Sequence, residues 1–105
     1  MVQVAAELSL TGAEHRASER HGTRMEAGVR RGSIRLPATV TDLSATGFRV
    51  ATDEKLPVDS VMWIKLGALA PLMARVVWSD GLAAGCVFAA PLHPSVMEQL
   101  LRDPS

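Results

Sequence analysis

Residues 34–47 read IRLPATVTDLSATG, and the first eight of them alternate between apolar and other side chains. A period of two over eight residues is typical of a strand with one buried face. Pro37 lies on the outward face and has no N–H group, which favours a position at a strand edge. The pattern stops at residues 42–47 and predicts a turn, in which Asp and Ser side chains bond backbone amides and Gly47 adopts a positive φ angle.

Similar segments lie on both sides of this strand. The predicted strands are residues 25–31, 34–41, 47–52, 61–66, 72–78 and 82–89. Ser95 is the expected N-cap of a short helix that runs through Arg102. Six short strands at close spacing predict an all-β fold, a small six-stranded antiparallel β-barrel or sandwich with a short C-terminal helix over one open end.

The alternation also predicts side-chain directions. Asp42 follows Val40 by two residues and is expected to continue the inward face of its strand at the rim. Trp78 shares a face with Val76, so it and Trp63 are expected in or near the core, with an outer face for a partner as the alternative.

The N-terminal residues lack this order. Residues 1–15 are weakly patterned and are expected to form a flexible arm that can fold back on the body, which leaves residues 16–105 as one folded domain. Residues 13–23 have no apolar face and contain Gly22, so an exposed loop is predicted there.

Composition limits the classes of function. The chain has 105 residues and no formal net charge, which argues against a protein that coats a nucleic acid polymer. Residues 16–35 nevertheless carry six arginines against two glutamates, a concentration that suits a small anionic ligand.

The lone cysteine, Cys86, is expected to be buried in a strand and indicates a reducing compartment. Without an apolar run of about 20 residues or a signal peptide, we expect a cytoplasmic protein with no membrane insertion.

Two motifs carry candidate binding chemistry. Arg16, Arg20 and Arg24 are spaced four apart, and guanidinium groups can both fork onto phosphates and stack on purines. Farther along, the carboxylate of Asp42 could accept two hydrogen bonds from the N1 and N2 edge of guanine, with Ser44 and Gly47 close by. Each motif has a plain alternative, which is a solvated basic loop for the first and an Asx turn for the second.

Taken together and in this order, the motifs resemble those of the PilZ family of cyclic di-GMP receptors. The family signature is R-x-x-x-R followed about twenty residues later by [D/N]-x-S-x-x-G, matched here by Arg20, Arg24, Asp42, Ser44 and Gly47. Residues 75–78 and 85–88 resemble the later strand pair of the family. The resemblance covers residues 16–102.

The resemblance implies a six-stranded barrel that binds cyclic di-GMP, either one molecule or a stacked pair. Arg20 and Arg24 would hold phosphates and stack on guanine, Asp42 and Ser44 would read a guanine edge, and Gly47 would shape the turn. The N-terminal loop of the family often rearranges over the ligand. Glu19 stands where many members have another arginine, and Arg16 could compensate for it. The arginine pair of the motif could be either Arg16 and Arg20 or Arg20 and Arg24.

We therefore expect a non-catalytic receptor that orders its arm on binding cyclic di-GMP and signals to an effector protein, as a monomer or weak homodimer. The alternative is a PilZ-like adaptor that binds protein and no nucleotide. A general nucleic-acid-binding barrel would need a basic face rich in aromatic residues, and the chain has no Tyr. No nucleophile motif surrounds Ser44. The histidines are scattered, so neither a cofactor nor a metal site is predicted.

Overall fold

The alternating segments form a single antiparallel sheet that closes on itself. The structure is a computed structural model and describes residues 20–102. Its strands are β1 His21–Arg31, β2 Ile34–Leu43, β3 Gly47–Thr52, β4 Val61–Leu66, β5 Leu72–Asp80 and β6 Ala83–Phe88, and its helix is α1 Pro94–Arg102. The strands form a closed barrel in the order β1-β2-β3-β6-β5-β4. This result confirms the predicted six-stranded antiparallel barrel with a C-terminal helix.

The barrel is filled by the inward-facing side chains of all six strands. Met25, Val40, Val50, Ile64 and Val76 are among the fully buried ones. The only ring contact in the described core is tilted and joins Phe48 to Phe88, with 5.1 Å between centroids. Aliphatic and methionine side chains therefore provide most of the packing, and their burial drives folding.

Helix α1 packs Met97 and Leu100 against this core. It begins one residue before the predicted cap. The Nδ1 atom of His93 accepts a hydrogen bond from the Ser95 amide at 3.0 Å, and Pro94 takes the first helical position, where its missing N–H is harmless. His93, rather than Ser95, is thus the residue that caps the helix.

Single extra residues in two strands reverse the expected alternation. Val40 pairs with Val50 but Asp42 pairs with Arg49, so β2 bulges at Thr41. As a result Leu43 is buried and Asp42 turns outward, contrary to the predicted inward direction. A bulge inserts one residue and changes the face to which every later side chain points.

A second bulge, at Val77, does the same in β5, where Val76 pairs with Cys86 and Trp78 with Gly85. Trp78 consequently lies on the outer face with 38% of its surface exposed, and the prediction that placed it in the core was wrong. Trp63 is half-buried.

The start of the barrel also differs from expectation. Strand β1 begins at His21 rather than at residue 25, so the last residues of the predicted loop are strand. The β1–β2 register is irregular between Gly22 and Met25, which interrupts the apolar alternation that would have revealed the strand. The predicted flexible arm, residues 1–15, lies outside the described residues. Pro37 does lie where β2 extends beyond the last residue paired with β3, as predicted.

The buried thiol of Cys86 provides a test of this packing. Burial raises the pKa of Cys86 to about 12, and only the thiolate reacts with Ellman's reagent. We expect labelling of the folded protein at pH 8 to be on the order of a thousand times slower than labelling in denaturant. Because the folded-state pKa lies above that of the unfolded chain, the free energy of unfolding should also fall as the pH rises above about 9.

Labelling of the native protein at the rate of a small thiol would show that Cys86 is not in the core. The Cys86→Ala variant is the control for the pH dependence. Because it has no thiol, its free energy of unfolding should not show this fall above pH 9.

Candidate functional site

One motif arginine and the motif aspartate meet at the rim of the barrel. The Nε atom of Arg20 lies 3.4 Å from Oδ2 of Asp42, with the two side chains 69% and 26% exposed. Gly22 faces Asp42 across the β1–β2 ladder, and a Cβ placed on it would meet no atom within 4 Å. The carboxylate therefore borders open space. An exposed ion pair of this kind contributes only about 0–1 kcal/mol, so its partners can be exchanged at little cost.

Ser44 is buried and its hydroxyl is used within the turn. Its Oγ atom accepts hydrogen bonds from the amides of Gly47 at 3.1 Å and Thr46 at 3.3 Å, and it lies 3.2 Å from the Gly47 carbonyl, to which it can donate. A side chain that bonds the backbone in this way fixes a turn without any ligand. This turn also fixes the end of β2, where Asp42 lies.

Two further hydrogen bonds attach this turn to the end of β6 and to the segment that follows it. The Phe88 amide donates to the Thr46 carbonyl at 2.9 Å, and the Leu92 amide donates to the Ala45 carbonyl at 2.7 Å. The rim is thus held both from the end of β6 and from the segment that leads to α1.

Gly47 is required for a reason other than the predicted one. Its φ angle is not positive; within residues 20–102 the glycines with positive φ are Gly32, Gly67 and Gly81. A Cβ on Gly47 would lie 2.2 Å from the carbonyl oxygen of Cys86. Only glycine lets β3 approach the backbone of β6 this closely, because a carbonyl oxygen in a strand ladder cannot move aside.

The structure describes Arg24 but not Arg16, the other two arginines of the motif. Arg24 is exposed in β1, next to the buried Met25, and no carboxylate within residues 20–102 lies at ion-pair distance from it. Arg16 lies outside the described residues. The structure therefore brings Arg20 to Asp42 and leaves the Arg24 guanidinium available on the adjacent surface.

Two residues that sequence reasoning did not select lie beside this pair. Arg49 is opposite Asp42 on one side and Gly85 on the other, and its Cζ atom lies 5.6 Å from the centre of the Trp78 ring. A Cβ on Gly85 would lie 1.9 Å from the indole nitrogen of Trp78, so glycine makes room for that ring. A depression of about 320 Å³ adjoins Asp42 and Arg49.

The alternation of β3 predicts the outward position of Arg49, but it does not predict which residues of other strands lie beside it. They depend on the strand order and on the bulge at Val77. Together the residues make a rim with alternating charge and one exposed ring.

Comparison with protein families agrees with this description. The family model of the PilZ domain matches residues 14–103, nearly the whole chain, and the chain belongs to that family. PilZ domains are in general non-catalytic receptors for cyclic di-GMP. A comparison with curated proteins gives no significant match. Within residues 20–102, no helix has both the length and the apolar character needed to cross a bilayer.

The contact of Gly47 with β6 yields a prediction about stability. Replacing Gly47 with alanine forces the β3–β6 seam apart, and we expect a loss of about 3 kcal/mol in the free energy of unfolding, measured by urea denaturation. Gly22→Ala is the matched control, because open space surrounds that position. Equal stability of the two variants would contradict the close approach at Gly47.

Proposed function

We propose that the protein is a non-catalytic receptor that binds cyclic di-GMP on the outer rim formed by the start of β1, the end of β2 and β3. The single observation that carries the proposal is the pairing of Arg20 with Asp42, at the positions where the family signature has an arginine and an aspartate or asparagine. The family match supports the ligand class.

The pair offers complementary partners to a guanylate ligand. A phosphate accepts hydrogen bonds from the Arg20 guanidinium, while the guanine N1 and N2 groups donate to the Asp42 carboxylate. Arg20 thus exchanges one charged partner for another, whereas Asp42 exchanges a guanidinium for a neutral guanine edge. In both cases one partner is ionised, so the new bonds are charge-assisted and roughly twice as strong as neutral ones. Arg24 supplies a second guanidinium for phosphate or for stacking, since no ion pair to residues 20–102 holds it.

Ser44 and Gly47 contribute mainly through the backbone in this proposal. The Ser44 hydroxyl is bonded inside the turn and so positions Asp42; direct reading of a guanine edge by Ser44 stays a prediction from the resemblance. Arg49 places a second cation beside Asp42, and its guanidinium lies over the Trp78 ring.

The N-terminal arm belongs to the proposal as well. Residues 1–15 would order over the bound nucleotide, with Arg16 as an additional or alternative cation, and the composite surface would engage an effector protein. Ordering a residue costs about 1–2 kcal/mol for the backbone alone. The affinity should therefore depend on the arm sequence as well as on the rim.

A second candidate function follows from the contacts that Ser44 and Gly47 make within the protein itself. Ser44 fixes the turn and Gly47 allows strand contact, so two of the signature residues are explained by folding alone. A PilZ adaptor that binds a protein and no nucleotide would keep the same two residues. Direct measurement of nucleotide binding separates the two functions.

Titration calorimetry with cyclic di-GMP makes that measurement. We expect saturable binding to the wild-type protein and at least about tenfold weaker binding, or 1.4 kcal/mol, to Arg20→Ala and to Asp42→Ala. Arg75→Ala is the matched control, since it removes an exposed strand arginine whose partner is Asp59. The stoichiometry distinguishes one ligand from a stacked pair.

The absence of heat and of any shift in Tm, with a folded wild-type protein, would reject the receptor and leave the adaptor. Chromatography of the nucleotide after prolonged incubation should return it intact. Accumulation of a cleaved product would instead show an enzyme.

A further inference from the structure

A second depression on the described surface lies away from the Arg20–Asp42 rim. It has a volume of about 510 Å³ and occupies the outer face of β2, β1 and β4. Trp63 is opposite Arg30 across the β1–β4 ladder, and Arg30 is opposite Arg35 across the β1–β2 ladder. Gly28 lies between Lys65 and Pro37 in the next row. We call this surface the Trp63 groove and define it by Gly28, Arg30, Arg35, Pro37, Trp63 and Lys65.

The groove holds three cations without a balancing anion. No carboxylate within the described part of the chain lies at ion-pair distance from Arg30, Arg35 or Lys65. Like charges directly opposite one another on a sheet are destabilising, and Arg30 and Arg35 are in that arrangement. An external carboxylate placed between them would remove the repulsion and accept forked hydrogen bonds from both.

The shape of the groove fits an inserted side chain. A Cβ on Gly28 would meet no atom within 4 Å, so the floor of the groove is open. One wall is Trp63, whose ring lies 6.0 Å from Cζ of Arg30. Lys65 is held in place because its Nζ atom donates to the carbonyl oxygens of Gly67 and Leu69. The wall is therefore apolar and rigid, and cations stand at its edges.

We propose that the Trp63 groove docks an acidic segment of a partner protein, with an apolar side chain over Gly28 and Trp63 and flanking carboxylates on Arg30, Arg35 and Lys65. The groove is about 20 Å along β1 from Gly22, given about 3.3 Å per residue. The site goes beyond nucleotide binding and does not require it.

A protein segment fits this groove better than single-stranded nucleic acid does. Strand binders stack successive bases on several aromatic rings along a continuous basic track. The groove has one ring, which already faces Arg30. Its cations are grouped around a single apolar pocket, as suits one side chain with acidic neighbours.

The test uses a synthetic octapeptide with three glutamates on each side of two leucines, titrated into ¹⁵N-labelled protein at low salt. The indole resonance of Trp63 should shift saturably, while that of Trp78 serves as an internal control. Arg30→Glu combined with Arg35→Glu should weaken binding at least about tenfold. The matched control, Lys55→Glu combined with Arg102→Glu, changes the net charge equally at exposed positions outside the groove.

A variant that keeps every charge tests the shape. Gly28→Leu fills the floor without a clash at Cβ and suits a strand better than glycine does, so it should fold and still lose peptide binding. Cyclic di-GMP binding should survive in all groove variants, and peptide binding should survive in Arg20→Ala, so that failure at one site is distinguishable from failure at the other.

Three results would overturn the proposal. The first is equal weakening by the groove pair and by the control pair, which would indicate non-specific charge attraction. The second is tighter binding of a ten-residue oligothymidine than of the peptide at Trp63, which would indicate a nucleic-acid surface. The third is concentration-dependent dimerisation that Gly28→Leu abolishes, because a second copy of the chain would then be the occupant.

Discussion

The close approach of two backbones at Gly47 is the constraint on which both the barrel and its rim depend. Strand β3 pairs with β6, although the two strands are distant in sequence. They can pair here only because Gly47 has no Cβ, which would lie 2.2 Å from the Cys86 carbonyl oxygen. The amide of the same residue donates a hydrogen bond to the Ser44 hydroxyl. A single glycine therefore couples closure of the sheet to the turn that presents Asp42, so a signature residue that looks specific for ligand binding is first a requirement for folding.

The alternation of apolar side chains predicted the strands well because one face of each is buried, and burial imposes a period of two. It failed at Thr41 and Val77, where one inserted residue reverses the faces that follow. No local sequence signal marks such a bulge, because the bulge is set by pairing with a partner strand. The inward directions predicted for Asp42 and Trp78 were wrong for this one reason.

The candidate site was predictable to the extent that it is local. The turn from Asp42 to Gly47 is coded by neighbouring residues, and Arg20 could be selected by its spacing from the turn. Arg49 and Trp78 became part of the rim only through strand order, since β3 lies between β2 and β6 while β6 lies between β3 and β5. Non-local pairing of this kind cannot be read from spacing, which is why both residues were overlooked.

Strand β1 carries both surfaces, with Gly22 at the rim and Gly28 in the Trp63 groove. Within the closed sheet it pairs with β2 on one side and, from Ala27 to Arg30, with β4 on the other. This doubly paired and packed segment includes Gly28 of the groove, and it offers no second arrangement to which a ligand could shift it. Coupling between distant sites requires an element with two states. Occupation of one surface should therefore leave the affinity of the other nearly unchanged. In the proposed receptor, a response to the nucleotide would arise at the rim, from the ligand itself and the residues that precede β1. A partner held in the groove would be positioned rather than switched.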